Sequence, residues 1–206
     1  MVRRLIILLT ALALPGVSAA EFYGIAYHDV RDSVARDFDP DQYAVSAEHL
    51  AAHFRWLKTN GYTVVSFDAV IAARSGGAEL PEKAVLLSFD DGLRSVYTHV
   101  FPLLKLFNYP AIVSPVTAWI ESPAVVDYGD RQLATDDFLT WRQLREMQAS
   151  GLVEIASHTH ALHGGVGGNP QGNEQPAAAT HANRDGRYET EAEYAARIRA
   201  DLRMSS

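Results

Sequence analysis

An apolar segment of the chain leads directly into two adjacent carboxylates. Residues 85–89 read Val-Leu-Leu-Ser-Phe, and Asp90, Asp91 and Gly92 follow at once. Burying an unpaired charge is costly, so a strand with this sequence should leave both carboxylates at the rim of its sheet. Neighbouring side chains diverge on an extended chain, so the two aspartates should take different tasks. One can bind a metal ion while the other acts on a water beside it.

A second apolar segment, residues 152–156, opens into three histidines within six residues. On an extended chain His158 and His160 would lie on the same face, whereas on a helix His160 and His163 would lie one turn apart. His158 and His163 converge only if a strand ends at His158 and the chain then turns. The spacing leaves the ligand pair open, with solvent-exposed loop histidines as the alternative. Beside the aspartates, two of these imidazoles would complete a His/His/Asp metal site suited to hydrolysis.

Strand-length apolar runs alternate with helical stretches along the chain, and this alternation can position the two clusters. Continuous apolar strands separated by helices predict parallel pairing in a βα-repeating barrel or open sheet. Chemistry in such folds lies at the carboxyl ends of strands, where Asp90, Asp91, His158 and also His28 fall. The predicted strands are 23–27, 63–67, 84–89, 111–115 and 152–156, and the predicted helices are 46–60, 68–75, 96–107, 140–150 and 188–203. Residues 164–179, rich in Gly, Pro, Asn and Gln, are predicted to be a loop.

The amino-terminal sequence and the composition indicate an exported protein. Residues 1–19 are predicted to be a signal peptide, with Arg3 and Arg4 before an apolar run and small residues at 17–19. We therefore expect a periplasmic or secreted location. The sequence contains no cysteine, which leaves no disulfide, thiolate metal ligand or lipid-anchor cysteine. A formal net charge of -7 without a basic run argues against nucleic acid as a partner.

Both clusters resemble known motifs. The sequence Ser-Phe-Asp-Asp-Gly at 88–92 resembles the first motif of the polysaccharide deacetylases, which form carbohydrate esterase family 4 and share the NodB-homology fold. Residues 158–163 resemble the second motif. Segments 27–30, 80–85 and 169–172 are similar to those of exported poly-β-1,6-N-acetyl-D-glucosamine N-deacetylases of biofilm formation. The resemblance implies an α/β fold of the distorted (β/α) barrel type.

The resemblance also implies roles for individual residues. By motif position, Asp91, His158 and His163 would hold one divalent metal ion. Asp90 would be the base that accepts a proton from the attacking water, and His28 the acid that protonates the leaving amine. Zn, Ni, Co and Fe all accept mixed nitrogen and oxygen ligands, so the sequence leaves the metal open.

The resemblance is incomplete towards the carboxyl end. The family has a later Pro-Tyr motif and further strands that complete its barrel, and neither occurs before Ser206. We therefore expect residues 20–206 to be the N-terminal part of a polysaccharide deacetylase domain, with the barrel incomplete in this chain. Trp119, Tyr128 and Trp141 are candidate sugar-stacking surfaces, and core packing is the alternative for each.

The leading interpretation is a metal-dependent hydrolase that removes N-acetyl groups from a β-1,6-linked N-acetylglucosamine exopolysaccharide of the biofilm matrix in the periplasm. The implied partners are this polymer and the exopolysaccharide export machinery of the outer membrane. Two alternatives stay open at this point. One is a deacetylase of peptidoglycan or chitin-like oligomers, and the other is a truncated, non-catalytic fragment that binds glycan.

Overall fold

The structure is a computed structural model that describes residues 21–32, 34, 43–129 and 131–205. The predicted signal peptide at 1–19 lies outside these residues. None of the described helices combines the length and the hydropathy that a membrane span requires.

Short strands and helices alternate along the described chain. The strands are β1 (Tyr23–Tyr27), β2 (Asp29–Val30), β3 (Ala44–Val45), β4 (Thr63–Val64), β5 (Ala84–Asp91), β6 (Ala111–Pro115), β7 (Val126–Tyr128), β8 (Arg131–Leu133), β9 (Val153–Ile155), β10 (Gly165–Gly167), β11 (Glu174–Pro176), β12 (Asn183–Arg184) and β13 (Arg187–Tyr188). The helices are α1 (Ala47–Thr59), α2 (Phe67–Arg74), α3 (Phe101–Phe107), α4 (Thr117–Glu121), α5 (Trp141–Ala149) and α6 (Glu191–Met204). A π-helical turn precedes α3 at Val96–Val100, and 3-10 turns lie at Thr135–Asp137 and Ala177–Ala179.

A parallel sheet of five strands forms the centre of the protein. Its order is β1-β5-β6-β9, and β4 also pairs with the start of β5. The apolar residues of β5 are all buried, as expected of a strand covered on both faces. The predicted α/β class with parallel strands is therefore confirmed. Within the described residues β1, β4 and β9 each pair with only one strand of this sheet, and the sheet does not close into a barrel.

The helices pack on the sheet through apolar faces. Ser46 caps α1 by accepting a hydrogen bond from the His49 amide, and Leu50, Phe54 and Leu57 are buried along one face. Burying a side chain of this size contributes roughly 1.5–3 kcal/mol relative to exposure. The main core joins these residues to the sheet and to α3 and α5. A smaller cluster lies beside the carboxyl end of β5 and contains Leu93, Tyr128, Leu133 and Phe138.

Three segments differ in detail from the sequence predictions. The predicted strand 63–67 ends at Val64, because the Ser66 hydroxyl accepts a hydrogen bond from the Ala69 amide and caps α2. The predicted helix 96–107 begins as a π turn. Residues 164–179, predicted to be a loop, contain the antiparallel pair β10 and β11. The Asn169 side chain accepts hydrogen bonds from the Gln171 and Asn173 amides and so forms the connecting turn.

Candidate metal centre and catalytic site

Three of the predicted side chains converge at the carboxyl ends of β5 and β9. The Asp91 Oδ1 atom lies 3.3 Å from His158 Nε2 and 3.2 Å from His163 Nε2. One potential ligand atom from each residue lies within 4.8 Å of the others, which makes the three a candidate metal site. His160, which the motif order leaves between the two histidines, is not in this group. Of the ligand pairs that the spacing left open, the structure selects His158 and His163.

The end of β5 turns sharply and directs its two carboxylates apart. Asp91 has φ 69° and Gly92 has φ 83°, so both residues adopt left-handed backbone. A Cβ atom on Gly92 would lie 2.6 Å from Pro115 Cβ on the neighbouring strand, so only glycine fits this turn against β6. Asp91 is buried, whereas Asp90 is half-buried. The two aspartates thus occupy different environments, as expected of different tasks.

The histidine loop, residues 157–163, turns so that His158 and His163 can converge. The His158 amide donates to the Pro115 carbonyl at 3.1 Å and ties the start of the loop to the end of β6. Thr159 has φ 70°, and its carbonyl accepts from the Thr117 amide at 3.3 Å. After this turn the ring of His163 lies 5.2 Å from that of His158, measured between centroids. Two histidines five positions apart therefore face one carboxylate.

The Asp91 carboxylate is buried, and its two oxygens have different environments. Oδ2 accepts a 2.6 Å hydrogen bond from the Tyr128 hydroxyl. Oδ1 lies between the imidazoles but makes no well-aligned hydrogen bond to any described residue. Burial raises the pKa of Asp91, but the contacts with His158, His163 and Tyr128 outweigh burial and hold the pKa below its ordinary value. Asp91 is therefore a carboxylate at neutral pH.

The donor set fits a divalent transition metal. Two imidazole nitrogens and one carboxylate oxygen form a common ligand set of catalytic zinc and related ions. A buried, ionised oxygen without a well-aligned hydrogen bond needs a positive partner, because an uncompensated charge is costly in a protein interior. In this structure the contact with Asp91 raises the pKa of His158, against burial, which lowers it. We conclude that Asp91, His158 and His163 can hold one metal ion.

Asp90 and His28, the predicted base and acid, lie at the carboxyl ends of neighbouring strands. The Ser88 hydroxyl donates to Asp90 Oδ1 at 2.5 Å and fixes the carboxylate. Tyr27 of β1 is in register with Phe89 of β5, and His28 and Asp90 each come one residue later. His28 is half-buried, and its ring packs on Tyr43 with centroids 5.3 Å apart. The shared register places both residues at the same end of the sheet, while their catalytic roles stay predictions.

The three predicted sugar-stacking aromatics have different surroundings. Tyr128 is only 8% exposed, and a ring so buried presents little face to a sugar, which argues against that prediction for Tyr128. Trp119 is half-buried and packs on the His163 ring, with centroids 4.7 Å apart. Trp141 is 38% exposed at the start of α5 and donates from Nε1 to Glu121. Sugar contact by Trp119 and Trp141 stays a prediction.

Two contacts of the site had no clear signal in the sequence. The Tyr128 hydroxyl reaches Asp91 from β7, and the Asp201 carboxylate reaches the histidine loop from α6. Neither residue belongs to a motif with the residue it contacts. The one available sign concerned Asp201, an acidic residue next to the apolar Leu202 in the predicted helix 188–203.

Comparison with known proteins identifies the family. Residues 77–204 match the family model described as polysaccharide deacetylase. A curated poly-β-1,6-N-acetyl-D-glucosamine N-deacetylase of Escherichia coli (strain K12) is 44% identical over 184 residues, covering 87% of this chain and 27% of that protein. A Staphylococcus aureus (strain N315) protein with the same description is 26% identical over 121 residues, covering 59% of this chain and 39% of its own length. The chain thus spans about a quarter of the Escherichia coli relative.

Solved structures agree with this assignment. A de-N-acetylase from Aggregatibacter actinomycetemcomitans superposes with a TM-score of 0.81 at 44% identity, covering 90% of this chain and 72% of that one. The BpsB deacetylase domain from Bordetella bronchiseptica gives a TM-score of 0.77 at 47% identity, covering 91% and 74%. On the match of sequence, fold and site, this chain belongs to the polysaccharide deacetylase family.

Proposed function

We propose that the protein is a metal-dependent N-deacetylase that acts on a β-1,6-linked N-acetylglucosamine polymer. The observation that carries the proposal is the convergence of Asp91, His158 and His163 at the ends of two parallel strands. The choice of polymer rests on the relatives, which are described as poly-β-1,6-N-acetyl-D-glucosamine N-deacetylases. Because the chain spans only part of those proteins, their whole activity is an inference for this chain.

The residues of the site suit the hydrolysis of an acetamide. A divalent ion held by Asp91, His158 and His163 would act as a Lewis acid that polarises the acetamide carbonyl and acidifies a water. Asp90, with one oxygen fixed by Ser88, accepts the proton of the water as its oxygen attacks the carbonyl carbon.

The second half of the reaction needs an acid. The C–N bond breaks, acetate leaves, and the departing amine takes a proton, because an amide anion is too basic to leave unaided. His28 is the proposed donor, since it follows β1 at the register position that Asp90 has on β5. An imidazole suits this task because its unperturbed pKa lies near neutrality.

The proposed location follows from the amino-terminal sequence, and the proposed partners follow from the kind of polymer. Residues 1–19 have the sequence pattern of a signal peptide, so we place the mature protein in the periplasm, where the polymer would be met during export. A role in the biofilm matrix, and contact with the export machinery of the outer membrane, rest on the kind of polymer. Recovery of the protein in the periplasmic fraction, with residues 1–19 removed, is the expected result, and an unprocessed cytoplasmic chain would contradict it.

Acetate release by the purified chain tests the activity. We expect acetate from poly-β-1,6-N-acetylglucosamine, loss of this activity with a chelator, and recovery after a divalent metal is added back. Peptidoglycan and chitin oligomers are the comparison substrates, and preference for either would replace the proposed polymer. A chain that binds glycan but releases no acetate with any metal would instead be a non-catalytic binding fragment.

Metal uptake tests the ligands separately from turnover. Asp91→Ala and His158→Ala should abolish stoichiometric uptake, measured by elemental analysis after dialysis. His160→Ala is the matched control because its ring lies in the same loop but outside the ligand group. Full uptake by both ligand variants would remove these residues from the proposed site.

A further inference from the structure

The loop that carries both histidines is held at its centre by a carboxylate from the last described helix. Asp201 of α6 is 5% exposed. Its Oδ2 accepts a 2.8 Å hydrogen bond from the His160 amide, and its Oδ1 accepts a 2.7 Å hydrogen bond from the Ala161 amide. One buried carboxylate therefore binds two successive backbone N–H groups midway between His158 and His163.

These two amides need Asp201 because the loop has no regular backbone hydrogen-bonding pattern that would supply acceptors for them. Residues 157–163 form neither helix nor strand, and backbone N–H groups that are partly shielded from water, as these two are, require acceptors. A carboxylate offers one acceptor oxygen to each amide, and hydrogen bonds to a charged acceptor are stronger than those to a neutral one. The amides in turn compensate the buried charge. The carboxylate and the two amides thus stabilise each other.

Further contacts clamp the loop between two helices. On one side the Thr117 hydroxyl of α4 lies 2.9 Å from His160 Nδ1, and the Ala118 amide donates to the His160 carbonyl. On the other side the Ser157 hydroxyl donates to Ser205, which caps α6, at 2.7 Å. The clamp fixes the centre and the start of the loop. His158 and His163 extend from the two ends of the fixed part towards Asp91.

We propose that Asp201 is a positioning residue for the candidate metal centre. By holding the His160 and Ala161 amides on α6, it sets the distance between the two imidazoles that face Asp91. The inference rests on the proposed function, since it takes Asp91, His158 and His163 to be metal ligands. Asp201 itself touches backbone and has no part in the proposed proton transfers.

Metal binding by the wild-type full chain and three variants of it tests this role. Asp201→Asn keeps the shape but accepts from one amide only, and its own NH2 faces the other. Asp201→Ala removes both acceptors. Asp185→Asn is the matched control, because it also removes one carboxylate, from an exposed turn with left-handed backbone that asparagine tolerates. Affinity for Co²⁺ is measured by competition with a chromogenic chelator, and ligand geometry by the visible absorption of the Co²⁺-loaded protein.

We expect Asp201→Asn to lose about tenfold in affinity and Asp201→Ala to lose up to about 100-fold, as is typical when residues behind metal ligands are removed. The visible bands should shift in both variants and stay unchanged in Asp185→Asn. In the metal-free protein, the His160 and Ala161 amides should exchange with deuterium faster in Asp201→Ala. This last readout needs no metal, so it reports on the loop even if a variant binds none.

The outcomes separate this inference from the function on which it rests. Variants that keep wild-type affinity, wild-type bands and slow amide exchange would overturn the role of Asp201 while leaving the metal centre intact. A wild-type chain that binds no Co²⁺ would overturn the metal centre and the positioning role together. If Asp201→Ala fails to fold, as judged by circular dichroism, Asp201→Asn decides the question alone.

Discussion

Tyr128 binds the oxygen of Asp91 that does not face the histidines. Its hydroxyl lies 2.6 Å from Oδ2, whereas Oδ1 lies between the imidazoles of His158 and His163. One carboxylate oxygen is thereby bound to the protein, and the other is left to bind a metal ion. The hydrogen bond fixes the rotation of the carboxylate and contributes to the lowered pKa of Asp91. It is an outer contact of the kind that orients metal ligands in other sites.

Replacement of Tyr128 by Phe should weaken metal binding without unfolding the protein. The ring and its contact with Trp119 are kept, and only the hydroxyl is lost. We expect affinity to fall by about 10–100-fold, measured by chelator competition. Tyr97→Phe is the matched control, because the Tyr97 hydroxyl makes a similar 2.8 Å bond to the exposed carboxylate of Glu146. Equal affinity in both variants would mean that the Tyr128 hydroxyl does not orient Asp91.

Replacement of Asp90 by Asn should separate metal binding from turnover. Asp90 is outside the ligand group, so stoichiometric metal uptake should persist. The amide cannot accept a proton from water, so acetate release should fall by about 10²–10⁴-fold. Ser88→Ala, which removes only the hydroxyl that fixes Asp90, should cost less activity. Unchanged acetate release by Asp90→Asn would rule out Asp90 as the base.

The sequence predicted those parts of the site that depend on local patterns. The apolar run of β5 fixes where its strand ends, and the parallel sheet brings that end to the same rim as the end of β9, with only β6 between them. Asp91, His158 and His163 could therefore be expected to meet. The period of α1 and its cap at Ser46 likewise follow from residues close in the chain.

The supporting contacts could not be predicted in this way. Tyr128 was a candidate for sugar stacking, with core packing as the alternative, and neither interpretation anticipated that its buried hydroxyl would bind Asp91. Asp201 meets His160 through the packing of α6, and no periodicity in either segment encodes that contact. Such contacts depend on how elements dock, which sequence patterns do not specify.

Replacement of Gly92 by Ala should destabilise the protein and disturb the site. The added Cβ would lie 2.6 Å from Pro115 Cβ and 3.0 Å from Pro115 Cα, and the left-handed backbone adds strain. Gly61→Ala is the matched control, with a similar φ but no atom within 4 Å of the new Cβ. We expect Gly61→Ala to cost about 1–2 kcal/mol of unfolding free energy, Gly92→Ala to cost more, and only Gly92→Ala to lose metal affinity. Equal melting temperatures for Gly92→Ala and Gly61→Ala would show that the turn tolerates the contact of the new Cβ with Pro115.

The contact between His158 and Asp91 makes metal binding depend on pH. In the metal-free protein this contact raises the pKa of His158 above its ordinary value of 6.5, and the charge of Asp90 adds to the effect. The protonated form of His158 therefore stabilises the fold below pH 6.5, and this contribution is lost as the pH rises through the raised pKa. A metal ion competes with that proton for Nε2, so affinity should fall as the pH falls through the same range.

An NMR titration of the His158 ring in the metal-free chain measures this shift directly. The midpoint should lie above 6.5 in the wild type, because the imidazolium is favoured by the buried Asp91 carboxylate at 3.3 Å. Asp91→Asn is the matched variant: it keeps the size of the side chain but removes its charge, so the midpoint should drop. Metal affinity followed over the same pH range should decline where His158 gains its proton. A wild-type midpoint at or below 6.5, unchanged in Asp91→Asn, would mean that the two side chains are not coupled, and the pH dependence of metal uptake would then need a different titrating group.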